Sequence, residues 1–212
     1  MIGDKLVIEQ HHTDRAQEVC DLVADRLDAK YVITVAGESG SGKSELAAEI
    51  VRELSERGHP ADMLQQDDYF VFPPKTNHEM RRANIEQVGP YEVKLDFMDA
   101  NLRSFKRDEG PIYKPLVIYD DDRITREEKA IDGLHVLVAE GTYTSTLEFA
   151  DFRVFIDRDY HQTKATREKR ARDVLEPFIQ DVLEREHGII SQHKARADAV
   201  ITSDFAGVET PS

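Results

Sequence analysis

The eight residues Gly37-Glu38-Ser39-Gly40-Ser41-Gly42-Lys43-Ser44 constrain the fold of this chain more than any other stretch. They match the pattern G-x-x-x-x-G-K-[ST], in which the glycines let the backbone curl around a phosphate group. An apolar run over residues 31–36 precedes the motif, and a helical pattern begins at Glu45. The sequence therefore predicts a strand, a phosphate-binding loop and a helix, with Lys43 on the β- and γ-phosphates and Ser44 on Mg²⁺. The alternative without a binding function is a glycine-rich turn with a solvated lysine.

Length and composition set the broad class of protein. A chain of 212 residues suits one α/β domain. A net charge of −14 argues against a nucleic-acid partner, because binding to a phosphate backbone needs a basic surface. Cys20 is the single cysteine, so no internal disulfide is expected, and no apolar run is long enough to span a membrane. We expect a cytoplasmic protein with a small-molecule partner, and the composition leaves a homo-oligomer open.

Hydrophobic periodicity predicts helices and strands that alternate along the chain. The predicted helices cover residues 14–28, with Thr13 or Asp14 as N-cap, 45–57, 96–106, 161–174 and 177–186. The predicted strands cover residues 31–36, 63–65, 116–119, 134–139, 152–156 and 199–201. Residues 71–90 are predicted to be irregular, and the tail from Ser203 shows no pattern. This alternation favours an α/β layered fold with a mainly parallel sheet.

Carboxylates follow two of the predicted strands. Asp67 and Asp68 come after the strand of residues 63–65, and either could accept a proton from a hydroxyl group. Alternatively, both are turn-forming aspartates. Glu140 ends the strand of residues 134–139, at the sheet edge where ligands bind in α/β proteins, and is a candidate metal-linked carboxylate. Its alternative role is that of a solvated side chain before a glycine turn.

Basic residues and histidines form two further groups. Lys164, Arg167, Lys169, Arg170 and Arg172 lie within nine residues, and Lys169 and Arg172 share a helix face that could converge on a triphosphate. The alternative is a solvated face with Glu168 and Asp173 as partners. The remaining group is predicted to lie on the surface, because it lacks the spacing of a zinc site; its members are His11, His12, His187 and His193.

The motifs taken together resemble the uridine kinase and phosphoribulokinase family of P-loop kinases, in the right order from about Tyr31 to Ile201. Besides the loop, the matching stretches are Gln66-Asp67-Asp68-Tyr69-Phe70, Asn84 with Pro90 and Asp96, Tyr119-Asp120, Ala139-Glu140-Gly141, Arg172-Asp173-Val174 and Ala197-Asp198-Ala199-Val200-Ile201. The resemblance implies a three-layer P-loop NTPase fold over residues 1–212. It further implies an acceptor-side insertion at about 67–123 and a small helical lid at about 161–190.

The resemblance also implies an ATP- and Mg²⁺-dependent kinase that phosphorylates a hydroxyl group of a nucleoside or sugar-type metabolite. Its catalytic residues would be Lys43, Asp67 and Arg172, and Ser44 with Glu140 would hold the metal. ATP would contact Gly37, Glu38, Ser39, Gly40, Ser41, Gly42, Lys43, Ser44, Glu45, Lys169 and Arg172. The acceptor would contact Asp67, Tyr69, Tyr119 and Arg123.

Two departures leave the acceptor open. Uridine kinases carry a histidine shortly after the Tyr-Asp pair, where this chain has Asp120-Asp121-Asp122-Arg123. Their lid continues with E-R-G-R, where this chain has Leu175-Glu176-Pro177-Phe178. A nucleotide-binding sensor or regulatory P-loop protein without kinase activity is the alternative function. A GTPase switch is disfavoured, because the sequence has no N-K-x-D element and its only D-x-x-G lies in the tail.

Overall fold

The computed structural model describes residues 6–27, 29–164, 167 and 177–211. Within them the strands are β1 (Tyr31–Gly37), β2 (Ala61–Gln65), β3 (Ile112–Ile118), β4 (Arg123–Lys129), β5 (Val136–Glu140), β6 (Phe152–Ile156), β7 (Ala199–Ile201) and β8 (Val208–Glu209). The main sheet has the order β2-β5-β1-β6-β7-β8, and all neighbours except β7 and β8 are parallel. The expectation of a mainly parallel sheet is confirmed.

β1 lies between β5 and β6 in this sheet, and all seven of its residues are buried, as is typical of an inner parallel strand. Val35 of β1 lies beside Glu140 of β5, and Glu140 lies beside Gln65 of β2. The carboxyl ends of three neighbouring strands therefore meet at one edge. The phosphate loop follows β1 at this edge, which is where open parallel sheets bind their ligands.

Helices cover both faces of the sheet. They are α1 (Gln10–Val23), α2 (Lys43–Glu56), α3 (Pro74–Ala83), α4 (Leu95–Lys106) and α5 (Pro177–Ile190). Ile33 and Val35 of β1 pack in one core cluster with α1 and α2, whereas Val32 and Ala36 pack in a second cluster with α4. The alternation of side chains along a strand thus feeds two separate cores, and the predicted three-layer α/β fold is confirmed.

Strands β3 and β4 form a separate antiparallel hairpin, in which Ile118 pairs with Arg123. The strand predicted at residues 116–119 is confirmed as part of β3, which begins earlier, at Ile112, whereas β4 at residues 123–129 was not predicted. β4 escaped prediction because its sequence, RITREEK, is mostly charged and carries no buried residue.

Residues 71–90 are not irregular throughout, since α3 occupies Pro74–Ala83. The prediction failed because α3 buries only Asn77 and therefore has no apolar stripe. Weaker signals were available, namely Pro74 in the first turn and the basic pair Arg81 and Arg82 in the last.

Both ends of the described chain are more ordered than predicted. α1 begins at Gln10 rather than near Asp14, because Glu9 and His12 cap its first turn reciprocally. The tail after Ser203 contains β8, which pairs with β7, and the buried Phe205. The remaining predicted elements agree with the structure to within a few residues. Most of the predicted helix at 161–174, including Lys169 and Arg172, lies outside the described residues.

Among the helices that the structure describes, none is both long and apolar enough to cross a bilayer.

Candidate active site

The phosphate loop connects β1 to α2 and turns through two glycines in the left-handed region. Gly40 has φ 75° and Gly42 has φ 100°, values that residues with a Cβ rarely adopt. Lys43 begins α2, and its Nζ donates to the carbonyl oxygen of Glu38 across the loop at 2.9 Å. The amino end of α2 thus points its backbone N–H groups and its lysine toward the position of a phosphate.

Ser44 and Glu140 come together, as the resemblance to the kinase family implied. The Ser44 hydroxyl donates to Glu140 Oε1 at 3.2 Å, and Glu140 is buried at the end of β5. A hydroxyl and a carboxylate oxygen are hard oxygen ligands of the kind that Mg²⁺ prefers. The pair therefore fits a magnesium ion held beside the loop. No group of three or more potential metal-binding side chains occurs elsewhere in the described ranges.

Asp67 and Asp68 differ sharply in their surroundings. Both lie in the short 3₁₀ turn that follows β2. Asp68 is buried, and it accepts hydrogen bonds from Lys114 Nζ at 2.7 Å and from the Val117 N–H at 2.9 Å. Asp67 is half-buried. Asp68 therefore anchors the β3–β4 hairpin, which leaves Asp67 as the better candidate for contact with an acceptor.

Tyr69 and Tyr119, two of the predicted acceptor contacts, are not fully exposed. Tyr69 is fully buried, and its hydroxyl accepts a hydrogen bond from Asn101 at 2.8 Å. Burial raises the pKa of this hydroxyl, whereas the bond to Asn101 opposes that rise. Tyr119 is half-buried at the start of the hairpin turn. The position of Tyr69 is that of a core residue rather than of a ligand contact.

Asp122, in the acidic stretch after Tyr119, has a structural role. Asp122 accepts hydrogen bonds from the backbone N–H of Lys75 at 2.6 Å and of Thr76 at 3.2 Å, so it caps the first turn of α3 from the hairpin. Burial works to raise the pKa of Asp122, but hydrogen bonds from Thr76 and Lys75 outweigh it and lower the pKa. Arg123 is exposed, and its Nη2 lies 3.6 Å from Oδ2 of Asp121.

Arg167, which belongs to the predicted lid, lies against the phosphate loop. A Cβ added to Gly40 would lie 2.8 Å from Cγ of Arg167. The Arg167 guanidinium donates to the Tyr160 carbonyl at 2.9 Å and also to the Thr163 hydroxyl. Arg167 was part of the basic run in the sequence, and the structure brings it to the phosphate loop.

An ionic cluster joins α3 to Glu92 and to α5. Arg81 donates to both oxygens of Glu92, each at 2.7 Å, and to Glu186 at 3.1 Å. Burial raises the pKa of Glu186, whereas Arg81 and, more weakly, Lys43 lower it. Sequence reasoning missed this cluster because it did not predict α3.

Lys114 forms a second cluster of the same kind under the hairpin. Its Nζ contacts Asp68 at 2.7 Å and Glu127 at 2.8 Å. Arg81 and Lys114 are therefore each held between two carboxylates.

The histidines do not all lie on the surface, contrary to prediction. His12 and His193 are buried, and burial lowers the pKa of His193. His187 on α5 lies 2.6 Å from the buried carboxylate of Glu38 in the phosphate loop. A cleft opens between Glu38, His187 and the segment of residues 157–162. Tertiary packing buries His12 and His193 and brings His187 to Glu38. The spacing of histidines in the sequence does not predict these positions.

The similarity of this chain to a known protein family agrees with the geometry of the site. The model of the phosphoribulokinase / uridine kinase family matches residues 32–201. The chain belongs to this family. That membership confirms the resemblance drawn from the sequence. It also makes the chain a small-metabolite kinase and implies, in general terms, the use of ATP and Mg²⁺; a regulatory protein without kinase activity is not favoured.

Curated relatives of this chain are named as kinases of different acceptors. The bifunctional alpha-galactosidase/sucrose kinase of Mediterraneibacter gnavus is 27% identical over 205 residues, which cover 90% of this chain but only 22% of that protein. The uridine kinase of Leuconostoc citreum (strain KM20) is 26% identical over 183 residues, covering 80% of this chain and 86% of that protein. The fold also resembles phosphoribulokinase from Rhodobacter spheroides, with a TM-score of 0.61, 16% identity and coverage of 82% and 70% of the two chains.

Proposed function

We propose that this kinase transfers the γ-phosphoryl group of ATP to a hydroxyl group of a neutral small metabolite, either a sugar or a nucleoside. The observation that carries the proposal is the arrangement at the carboxyl edge of the sheet. There Ser44 lies against Glu140, and Asp67 follows the neighbouring strand β2.

The nucleotide side rests on the loop and the first turn of α2. The backbone N–H groups of residues 37–45 and the Lys43 ammonium would hold the phosphates. Ser44 and Glu140 would hold Mg²⁺, whose charge would offset that of the phosphates when the ion is bound. Lys43 now donates to the Glu38 carbonyl, a contact that it would exchange for a phosphate oxygen.

Asp67 would orient the acceptor hydroxyl and accept its proton. Its half-buried side chain and its position beside the end of β5 support this role. Lys169 and Arg172 remain proposed lid cations on sequence grounds. Arg167 joins them because it already lies against Gly40. Cations at this position would stabilise negative charge on the transferred group.

The charge of the acceptor side favours a neutral acceptor. Arg81 lies between Glu92 and Glu186, and Lys114 lies between Asp68 and Glu127. Each cation is thus outnumbered by carboxylates, so neither offers uncompensated positive charge to a substrate phosphate. Carboxylate and guanidinium groups of this kind can instead bond to the hydroxyls of a sugar.

The other assignments are proposed on weaker grounds. Tyr119 and Arg123 remain candidate acceptor contacts, and we leave out the buried Tyr69. We propose one domain over residues 1–212, with the acceptor insertion at about 67–123 and the lid at about 161–190. We further propose a cytoplasmic enzyme without a nucleic-acid partner, for which a homo-oligomer is compatible.

The test is a measurement of ADP release from Mg-ATP with a panel of acceptors. The panel holds neutral mono- and disaccharides, the common nucleosides, and sugar phosphates of matched carbon skeleton. We expect acceptor-dependent turnover with a neutral sugar or nucleoside, and kcat/KM at least about tenfold lower for the matched phosphate, which corresponds to about 1.4 kcal/mol.

Two results would contradict the proposal. A sugar phosphate as the best acceptor would overturn the argument from Arg81 and Lys114 while leaving the kinase assignment intact. Binding of Mg-ATP without turnover for any acceptor in the panel would favour a nucleotide sensor instead.

A further inference from the structure

His187 of α5 contacts the phosphate loop directly. Its Nδ1 lies 2.6 Å from Oε1 of Glu38, the second residue of the loop motif. Glu38 is buried, and its other carboxylate oxygen, Oε2, has no hydrogen-bond partner among the residues that the structure describes. Because an ionised carboxylate can only accept, Nδ1 of His187 is the donor. A buried carboxylate is costly without such a donor, so the Glu38 side chain depends on His187.

The backbone of Glu38 orders the turn of the same loop. Its carbonyl oxygen accepts hydrogen bonds from the Ser41 N–H at 3.2 Å and from Lys43 Nζ at 2.9 Å. A displacement of Glu38 would therefore disturb both the turn and the lysine that is expected to bind the phosphates. A contact that fixes the Glu38 side chain also fixes the carbonyl oxygen to which these two donors bind.

Two residues that precede His187 anchor α5 on α3 and on the short turn that follows α3. Arg185 donates to both carboxylate oxygens of Glu86, at 3.1 and 2.8 Å. Glu186 accepts a hydrogen bond from Arg81 of α3 at 3.1 Å. Three consecutive residues of α5 thus contact either this region or the phosphate loop. The helix is held independently of the loop and can therefore support it.

The loop gains from such support because its backbone conformation is costly. Gly40 has φ 75° and Gly42 has φ 100°. A loop that is held in its binding conformation before a nucleotide arrives loses less conformational freedom on binding. The affinity for the nucleotide is then higher than it would be for a loop without this support.

We propose that His187 is a positioning residue for the phosphate loop, which it fastens to α5 through the hydrogen bond from its Nδ1 to Glu38. It acts through Glu38 and does not itself contact the phosphates of the nucleotide. The inference rests on the proposed function only in requiring that the loop binds Mg-ATP.

The test is the dissociation constant for Mg-ATP, measured calorimetrically on the full chain without an acceptor. His187→Asn keeps an amide donor near the position of Nδ1, whereas His187→Ala removes the donor. We expect His187→Asn to bind within about twofold of the native protein, and His187→Ala to bind roughly three- to tenfold more weakly. His135→Ala is the matched control and should bind like the native protein, because His135 is exposed and precedes the amino end of β5.

A second measurement shows whether His187 acts through Glu38. Glu38→Ala should weaken the binding of Mg-ATP by a similar factor, because it removes the other partner of the same hydrogen bond. The addition of His187→Ala to Glu38→Ala should then change the dissociation constant by less than about twofold. If the factors of the two single variants multiply in the double variant, His187 does not act through Glu38 and the proposal is wrong.

A role of His187 that is confined to the stability of α5 predicts the reverse order of affinities. Alanine favours a helix more than asparagine does, so His187→Ala would then bind normally and His187→Asn would be impaired. That order, or equal affinities for both variants, would overturn the proposal. Because no acceptor is present, failure of the acceptor hypothesis would leave this result readable. A native chain that does not bind Mg-ATP would contradict the proposed function itself, and the role of His187 with it.

Discussion

Asp67 and Asp68 are neighbours on one short turn, yet their side chains have different environments. Asp68 is buried and accepts hydrogen bonds from Lys114 and Val117, whereas Asp67 is half-buried in the turn that follows β2. A carboxylate that neutralises a buried ammonium is unsuited to exchange protons with a substrate, because its charge is needed where it is. At the scale of residues, the proposed catalytic carboxylate and a structural carboxylate thus occupy adjacent positions.

Replacement of each aspartate by asparagine should separate the two roles. We expect Asp67→Asn to lower acceptor-dependent kcat by about 10²- to 10⁴-fold while the Kd for Mg-ATP stays unchanged, because an amide cannot accept the proton. Asp68→Asn should instead lower the free energy of unfolding by about 3 kcal/mol, since it removes one partner of a buried ion pair.

Each variant serves as the control for the other. Steady-state kinetics and urea unfolding should be measured on both. Native turnover in Asp67→Asn, or full stability in Asp68→Asn, would show that the roles are assigned wrongly.

At the scale of elements, α3 depends on a residue that is distant in sequence. Its first turn has no side-chain cap of its own, and Asp122 of the hairpin turn supplies one. Asp122 of this acidic stretch thus fixes the helix that carries Arg81. The hairpin and the helix form one unit through this contact.

Asp122→Ala should therefore destabilise the protein by about 0.5–2 kcal/mol at pH 7, the usual cost of a lost helix cap. The dependence on pH follows from the lowered pKa of Asp122 in the folded state. The stabilising contribution of the carboxylate is present above its ordinary pKa of about 4 and is lost as the pH falls through the lowered value. Urea unfolding at pH 7 and in a series from pH 5 to pH 2 measures both effects.

Asp121→Ala is the matched control, because Asp121 is exposed and makes only a loose pair with Arg123. It should change stability by less than about 0.5 kcal/mol. A difference between Asp122→Ala and the native protein that stays constant down to pH 2 would rule out the charged cap.

At the scale of the whole molecule, an acidic protein binds an acidic nucleotide. The net charge is −14, so affinity must come from a local arrangement of the loop, the amino end of α2 and Lys43 rather than from the overall field. Binding should then stabilise the fold as a unit, because the loop connects the central strand β1 to α2.

Mg-ATP at about one hundred times its Kd should raise the free energy of unfolding by about 2.7 kcal/mol. The shift should become smaller when a chelator removes Mg²⁺, and it should disappear in Lys43→Ala. Thermal or urea unfolding with and without nucleotide measures it.

Arg107→Ala is the control for loss of positive charge, because Arg107 is exposed on the segment after α4. It should retain the full shift. An equal shift in Lys43→Ala and the native protein would show that the loop lysine does not bind the phosphates.

The sequence by itself determined the parts of this protein that depend on local pattern. The loop motif, the apolar strand before it and the periodic helix after it are contiguous, so they predicted the β1–α2 unit. The pairing of Ser44 with the distant Glu140 was implied by the family resemblance and not by local pattern. Only the tertiary structure decided what depends on distant partners. It separated Asp67 from Asp68, capped α3 with Asp122, enclosed Arg81 between carboxylates and set His187 against Glu38. These contacts join residues from different elements, and a polar side chain shows in its own sequence neighbourhood no sign of the partner that will bury it.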